Sequence, residues 1–271
     1  MGYISYMKRK LFETGTKIYE DTDYYDYPVR VFDSGNGWQS ATFMDEDKKY
    51  DLVFAYLRAF NRGFDINPDI KSILLLGGAG YSYPKHVISH YPDVRITVVE
   101  IDPEALEIAK EHFYLNDLIR DYDLDNNDRF TNITDDAVHY IQTTEHSYDM
   151  IINDLYDDLD PVYPLLTLDG IRSVRKDLTE NGIYALNLSG NRKLNRTDYL
   201  LNIIKTLKEV FRNVSVVKAF SYQHLRSGNY VIFASDSENT LPDGVEYDLT
   251  EAQVANDPEK LREDYHDFLG I

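Results

Sequence analysis

The sequence has 271 residues, of which 43% are hydrophobic and 28% charged, and it contains no cysteine. The missing cysteine excludes disulfide bonds, thiolate catalysis and cysteine-based zinc sites, and no apolar run is long enough for a membrane-spanning helix. The formal net charge of −19 repels phosphate backbones, so we expect no nucleic-acid partner. This charge is compatible with a cationic substrate and equally with solubility alone. Residues 1–10 lack the apolar segment of a signal peptide, so we expect a cytoplasmic protein without a membrane partner.

The N-terminal part of the chain has the pattern of short strands. We predict strands over 16–20, 27–33 and 38–44, and the turn residues at 33–37 favour a hairpin between the last two. Apolar residues at helical spacing predict a helix over 45–62. Residues 1–65 are therefore expected to form a small N-terminal β-hairpin region with a linking helix.

From residue 71 onward, apolar strands alternate with helical patterns. The predicted strands cover 73–76, 95–99, 130–133, 148–153 and 183–188, and the predicted helices cover 83–90, 103–113, 137–142, 169–178 and 200–211. Two final strands, 214–218 and 230–235, are joined by a loop too short for a crossover helix and must pair antiparallel.

This order of elements indicates a fold class. Five βα units followed by a β-hairpin predict an α/β, Rossmann-like fold of the S-adenosylmethionine-dependent methyltransferase type, with a mostly parallel seven-stranded sheet. We assign residues 66–236 to this nucleoside-binding domain. Residues 237–271 are expected to form an acidic C-terminal tail with a helix over 258–268.

A glycine-rich turn and a carboxylate at the ends of the first two strands indicate a nucleoside site. Gly77, Gly78 and Gly80 allow a sharp turn and close approach of a ligand to the following helix N-terminus. Glu100 ends the second strand, where a carboxylate can accept both hydrogen bonds from ribose hydroxyls. Asp102 lies beside it, although its position before a proline also fits a helix N-cap.

A second acidic pair follows the third predicted strand. Asp135 and Asp136 are placed where an adenine amino group could donate a hydrogen bond, and an N-cap is the alternative interpretation. The strand ends thus carry several groups that suit an adenosine ligand.

Three segments give the chain a resemblance to a known family. They read Leu-Leu-Leu-Gly-Gly-Ala-Gly-Tyr-Ser-Tyr-Pro at 74–84, Val-Val-Glu-Ile-Asp-Pro at 98–103 and Asn-Asp-Leu-Tyr-Asp at 153–157. With these segments the chain resembles the spermidine synthase (polyamine aminopropyltransferase) family, in particular its spermidine-synthase-like branch, over about residues 19–187. The resemblance implies polyamine biosynthesis, a small N-terminal β-domain, a homodimer and decarboxylated S-adenosylmethionine as co-substrate.

The resemblance also implies roles for individual residues. By matching position, Glu100 would hold the ribose, Asp136 the adenine, and Gln39 would reach the nucleoside from the N-terminal hairpin.

Asp154 would be the catalytic carboxylate that orients a small amine substrate and accepts its proton; a polar strand end without a catalytic role is the alternative. Asp157, together with Tyr156, would bind the amine, and the loop 155–166 would close over the site.

Two departures from the family pattern leave alternatives open. Gly80 stands where the family has an aspartate that repels the carboxylate of ordinary S-adenosylmethionine, and the loop after Asp154 reads Leu-Tyr-Asp-Asp rather than Ser-Ser-Asp-Pro. The chain is accordingly interpreted as an aminopropyl transferase. The alternatives are a methyltransferase that uses ordinary S-adenosylmethionine and a non-catalytic homologue that binds a nucleoside or polyamine.

No metal site is expected from the sequence. Residues 121–125 resemble the start of a calcium loop, but Asn126 and Asn132 stand where glycine and glutamate are required. We therefore predict an acidic connector there, and we assign the seven histidines no role beyond packing or surface.

Overall fold

The computed structural model describes residues 17–23, 25–33, 35, 37–157, 160–191, 198–219, 227–241 and 247–269. The chain begins with a three-stranded antiparallel sheet in the order β1-β2-β3. Its strands are β1 (Lys17–Thr22), β2 (Pro28–Asp33) and β3 (Trp38–Phe43). Val29, Val31 and Ala41 are fully buried on one face of this sheet, because residues two apart in a strand point to the same side.

A seven-stranded sheet forms the centre of the molecule. Its strands are β4 (Ser72–Leu76), β5 (Arg95–Glu100), β6 (Phe130–Thr134), β7 (Tyr148–Asn153), β10 (Leu178–Asn191), β11 (Asn213–Ala219) and β12 (Ser227–Ser235). The order is β11-β12-β10-β7-β4-β5-β6; β12 pairs antiparallel with both β11 and β10, and the other neighbouring strands pair parallel. The predicted α/β, Rossmann-like methyltransferase-type fold with its antiparallel terminal hairpin is confirmed.

Helices cover both faces of this sheet. They are α1 (Ala55–Phe60), α2 (Gly63–Ile66), α3 (Ser82–His90), α4 (Pro103–His112), α5 (Leu115–Asp121), α6 (Ala137–Thr143), α7 (Leu168–Lys176), α8 (Asp198–Lys208) and α9 (Pro258–Leu269). Within the described ranges no helix is both long and apolar enough to cross a lipid bilayer.

The central strands are buried on both sides. Ile73, Leu74, Leu75 and Leu76 in β4 are at most 2% exposed, as expected of a parallel strand with helices on each face. Alternate residues of β4 contribute to two different core clusters, with Leu74 and Leu76 in one and Ile73 and Leu75 in the other.

The helix predicted over 45–62 is wrong in its first half. Residues 46–50 form turns, and within the predicted range the helix is reduced to α1, with the short α2 following it. The Asp45 carboxylate accepts a hydrogen bond from the backbone of Asp47 at 3.0 Å, which gives the backbone a local alternative to a helical bond.

The strand predicted over 183–188 is longer than expected. Helix α7 ends at Lys176, and β10 already begins at Leu178, with a register shift between Leu178 and Ile183. Such a bulge accommodates the Asn-Gly pair at 181–182 inside the strand. Helix α5, which follows α4 after a two-residue break, was not predicted. The proposed division at residues 65 and 236 stays a prediction.

Candidate nucleoside and amine site

The glycine turn and Asp154 meet at the point where the order of the parallel strands reverses. β4 lies between β5 and β7, and such a reversal leaves a crevice at the carboxyl ends of the strands. Gly77 has φ +93°, and a Cβ atom there would lie 2.6 Å from the carbonyl oxygen of Asp154. Only glycine allows this backbone angle and this close approach without strain.

Glu100 organises the glycine turn. One carboxylate oxygen accepts hydrogen bonds from the backbone N–H groups of Gly78 at 2.7 Å and Ala79 at 3.1 Å, and the other accepts one from Asp102 at 3.0 Å. A carboxylate has about four lone-pair sites, so acceptor capacity remains for ribose hydroxyls. Glu100, the predicted ribose ligand, thus also holds the glycine turn in place.

Two of the acidic residues at neighbouring strand ends cap helices. Asp102 accepts from the backbone of Glu104 at 2.8 Å at the start of α4, and Asp136 accepts from the backbone of His139 at 3.0 Å at the start of α6. The alternative N-cap interpretation of both residues is confirmed, and their nucleoside roles stay predictions. In each case the bond uses one carboxylate oxygen and leaves the other for a ligand.

Asp135 joins the ends of two strands. Its backbone N–H donates to the carbonyl of Glu100 at 3.2 Å, and its carboxylate lies 2.9 Å from Nδ1 of His139. The predicted carboxylates at the ends of β5 and β6, those of Glu100 and Asp135, therefore lie near each other at the carboxyl ends of the parallel strands.

The N-terminal sheet contacts the glycine turn through Ser40. Ser40 is buried, and its hydroxyl accepts from the backbone of Gly80 at 3.1 Å, while the Ser82 hydroxyl donates to the Ala41 carbonyl at 3.0 Å. A Cβ atom on Gly80 would lie 2.5 Å from Ser40 Oγ. The predicted ligand Gln39 is exposed and, as the neighbour of Ser40 in β3, points to the opposite face of the strand.

Asp154 lies in a half-buried polar network. Asn187 Nδ2 donates to its carboxylate at 2.7 Å, the Tyr56 hydroxyl donates to the same group, and Asn229 orients Asn187 by donating to its Oδ1 at 2.8 Å. Burial raises the pKa of Asp154 to about 6, while the hydrogen bonds from Asn187 and Tyr56 oppose this shift. A carboxylate with such a pKa can exchange a proton near neutral pH.

Sequence reasoning missed Tyr56 and Asn187. Tyr56 follows the apolar spacing of a helix, so it was interpreted as a packing residue, and nothing in that spacing indicates a partner 98 positions away. Asn187 carried a usable signal, because it is a polar residue near the carboxyl end of a predicted parallel strand, as is Asp154.

The loop after Asp154 is attached to the rest of the fold. The Tyr156 hydroxyl donates to the Asn187 carbonyl at 3.1 Å and accepts from the Ser189 backbone at 2.7 Å. Tyr156 and Asp157 form the two-residue strand β8 (Tyr156–Asp157), which pairs with β9 (Asp160–Pro161). Successive residues of a strand point to opposite faces, so the two predicted amine ligands do not share one side.

The middle of this loop contacts helix α9 through Asp160. Asp160 accepts a hydrogen bond from Tyr163 at 3.2 Å and lies 2.7 Å from His266 Nε2 in α9. Tyr265, the neighbour of His266, is 1% exposed. Asp158 of the loop 155–166 lies outside the described residues, and closure of this loop over a substrate stays a prediction.

Comparison with known proteins agrees with this architecture. A family model described as the spermine/spermidine synthase domain matches residues 61–243. Polyamine aminopropyltransferase of Chromobacterium violaceum is 29% identical over 164 residues, which are 60% of each protein. The chain spans 56–60% of the length of the first curated relatives it matches.

Solved structures show the same fold. A probable spermidine synthase from Corynebacterium glutamicum matches with a TM-score of 0.66 and 21% identity, covering 92% of this chain and 90% of that one. A spermidine synthase in complex with the transition-state analogue AdoDATO matches with a TM-score of 0.54 and 15% identity, covering 93% of this chain and 84% of that one. The family model covers more than half of the chain, so the predicted resemblance is confirmed: this protein belongs to the spermine/spermidine synthase family.

Proposed function

We propose that this protein transfers an aminopropyl group from decarboxylated S-adenosylmethionine to a small polyamine. The observation that carries the proposal is the half-buried Asp154 carboxylate, which lies beside the glycine turn and has a pKa of about 6. The family relationship supports it, because the curated relatives are named polyamine aminopropyltransferases.

The proposed reaction is a displacement in which each group has a defined part. The unprotonated nitrogen of the amine attacks the aminopropyl carbon next to the sulfonium, the carbon–sulfur bond breaks, and its electron pair stays on sulfur in departing methylthioadenosine. An aliphatic amine has a pKa of about 10 and is charged at neutral pH. Asp154 would orient the amine and accept the proton that the nitrogen loses.

The neighbours of Asp154 suit this task. Asn187 and Tyr56 both donate to the carboxylate, which fixes its orientation and leaves acceptor positions for the amine. In the same crevice Glu100, Asp136 and Gly78 would bind the nucleoside, and the reacting carbon would then lie between the glycine turn and Asp154.

Methyl transfer from ordinary S-adenosylmethionine is a second candidate function. It is favoured by Gly80, where Ser40 occupies the space that any side chain would need. Without an aspartate at this position, the N-terminal end of α3 can tolerate a ligand carboxylate. The two candidate functions therefore differ mainly in their co-substrate, which is decarboxylated S-adenosylmethionine for aminopropyl transfer and ordinary S-adenosylmethionine for methyl transfer.

A mass-spectrometric assay with putrescine and decarboxylated S-adenosylmethionine tests the proposal. We expect spermidine and methylthioadenosine in equal amounts, with turnover abolished in Asp154→Asn and retained in Asp169→Asn, whose side chain is 95% exposed in α7. Absence of both products refutes aminopropyl transfer.

A thermal-shift series with decarboxylated S-adenosylmethionine, S-adenosylmethionine, methylthioadenosine and S-adenosylhomocysteine separates the candidates. Stabilisation only by the decarboxylated compound and methylthioadenosine would contradict the methyltransferase. Stabilisation without turnover of any amine would indicate a non-catalytic homologue. A homodimer and a cytoplasmic location are further proposals, which size-exclusion chromatography with light scattering and cell fractionation would test.

A further inference from the structure

Two histidines and an aspartate converge at the end of α3 that is remote from the glycine turn. His86 and His90 lie one helical turn apart with their ring centroids 4.1 Å from each other, and His90 Nε2 lies 3.4 Å from an Asp51 carboxylate oxygen. One ligand-type atom from each of the three residues lies within 4.8 Å of the others. Asp51 belongs to the segment that leads into α1, so the cluster joins two separate parts of the chain.

An unpaired buried atom in this cluster calls for a ligand. Among the described residues, His86 Nδ1 is buried and has no hydrogen-bond partner of normal geometry, although the backbone of Tyr50 lies near the ring. The other ring nitrogen, Nε2, lies 2.9 Å from Nδ2 of Asn61, and Asn61 Oδ1 also has no partner among these residues. Buried polar atoms without partners are rare in folded proteins and require an explanation.

One change of assignment accounts for both atoms. If the Asn61 amide is turned by 180°, its oxygen accepts a hydrogen from His86 Nε2, and the lone pair of Nδ1 becomes available. Metal-bound histidines usually donate their second ring N–H to a carbonyl or carboxylate oxygen in this manner. Both orientations of the Asn61 amide fit the same space, because its oxygen atom and its NH₂ group are similar in size.

We propose that His86, His90 and Asp51 bind one divalent transition-metal ion, with Zn²⁺ as the representative ion and water in the remaining position. Two imidazoles and one carboxylate are the nitrogen and oxygen donors that such ions prefer, whereas Ca²⁺ and Mg²⁺ require mainly oxygen. The net charge of −19 attracts a cation to the surface. This proposal departs from the expectation of no metal, which rested on the sequence alone.

The bound ion would act as a cross-link. It would tie Asp51, five residues before Tyr56, to the helix that begins at the glycine turn. The site is separate from the proposed catalytic crevice, so its occupancy can be measured without substrate.

Calorimetric titration of the chelator-treated, tag-free full chain with Zn²⁺ tests the site. We expect one ion per chain and a higher unfolding temperature in its presence. His90→Ala and Asp51→Asn, which alter side chains that are 44% and 45% exposed, should each weaken binding by at least about tenfold. His146→Ala, an exposed histidine outside the cluster, should bind as the unchanged protein does.

Each outcome decides the proposal. Equal Zn²⁺ binding by His90→Ala and the unchanged protein would overturn it, as would the absence of saturable binding at one ion per chain. The unfolding temperatures of the variants without Zn²⁺ should match that of the unchanged protein, which shows that the loss is not misfolding. Substitution with Co²⁺ should add visible absorption bands that disappear in His90→Ala.

Discussion

The side-chain amide of Asn187 donates a hydrogen bond to the Asp154 carboxylate over 2.7 Å, and this bond acts against the effect of burial on the carboxyl group. Burial alone favours the neutral acid, whereas a donor favours the charged carboxylate. The balance leaves the pKa of Asp154 at about 6. Asp154 is therefore deprotonated, but still basic enough to accept a proton, at neutral pH.

The first prediction concerns the pH dependence of turnover. Because Asp154 must be deprotonated to act as a base, kcat/KM should rise as the pH increases through about 6. Asn187→Leu removes a donor that lowers the pKa of Asp154, so the midpoint of the profile should move to higher pH. Rates measured from pH 5 to 9 check this.

Asn229→Ala is the matched control for that experiment. Asn229 contacts Asn187 and not the carboxylate, so its loss should shift the midpoint less than Asn187→Leu does. An unchanged midpoint in Asn187→Leu would show that this hydrogen bond does not set the pKa.

The second prediction concerns stability. The pKa of Asp154 is raised by folding from 3.8 to about 6, so the folded protein binds more protons than the unfolded chain between these values. This carboxyl group therefore weakens the fold as the pH rises from about 4 to 6, and the full penalty, about 2–3 kcal/mol, persists above that range.

Asp154→Asn removes this titration. The difference in unfolding free energy between the variant and the unchanged protein should shift in favour of the variant by about 2–3 kcal/mol from pH 4 to pH 8. Urea unfolding at the two pH values measures it, and other carboxyl groups cancel in the difference. A pH-independent difference would contradict the raised pKa.

The strand ends of this site could be predicted from the sequence, whereas the network around Asp154 could not. Strand β7 was predicted with its observed bounds, because an apolar run flanked by polar residues specifies a buried strand and its polar end. The fold then brings Glu100, Asp135 and Asp154 to one edge, since parallel strands end on the same side. Tyr56 and Asn187 depend on contacts between distant segments, which neither periodicity nor local turn chemistry records.

The third prediction concerns Glu100. Glu100→Gln leaves one acceptor oxygen and places an amide among the N–H donors of Gly78, Ala79 and Asp102. Loss of a charged acceptor costs about 1.5–3 kcal/mol, so the Kd for methylthioadenosine should rise by about 10- to 100-fold. Calorimetry measures this, with Glu104→Gln, an exposed residue of α4, as a control that should bind normally. Equal affinity would remove Glu100 from the nucleoside site.

The fourth prediction separates two roles of Asp136. Serine retains the helix cap but lacks the second oxygen, so Asp136→Ser should keep the stability within about 0.5 kcal/mol, while Asp136→Ala should lose about 1 kcal/mol. If Asp136 also binds adenine, both variants should bind methylthioadenosine several-fold more weakly. Normal binding by the serine variant would leave Asp136 as a helix cap only.

The last prediction concerns the contact between Gly80 and Ser40. A Cβ atom on residue 80 would lie 2.5 Å from Ser40 Oγ and 2.7 Å from Ser40 Cβ. The hydroxyl can rotate away, but Cβ is fixed by the backbone of β3, so the strand itself would have to move. Gly80→Ala should therefore lower the unfolding free energy by about 1–3 kcal/mol, as overpacking usually does.

A double-mutant cycle with Ser40→Gly isolates this clash. Removing the Ser40 side chain opens the space, so the loss from Gly80→Ala should be smaller in that background, with a coupling of at least about 1 kcal/mol. Urea unfolding of the four proteins gives the value. Additive losses would mean that Ser40 does not exclude a side chain from residue 80, and the argument from this position for ordinary S-adenosylmethionine would then lose its structural basis.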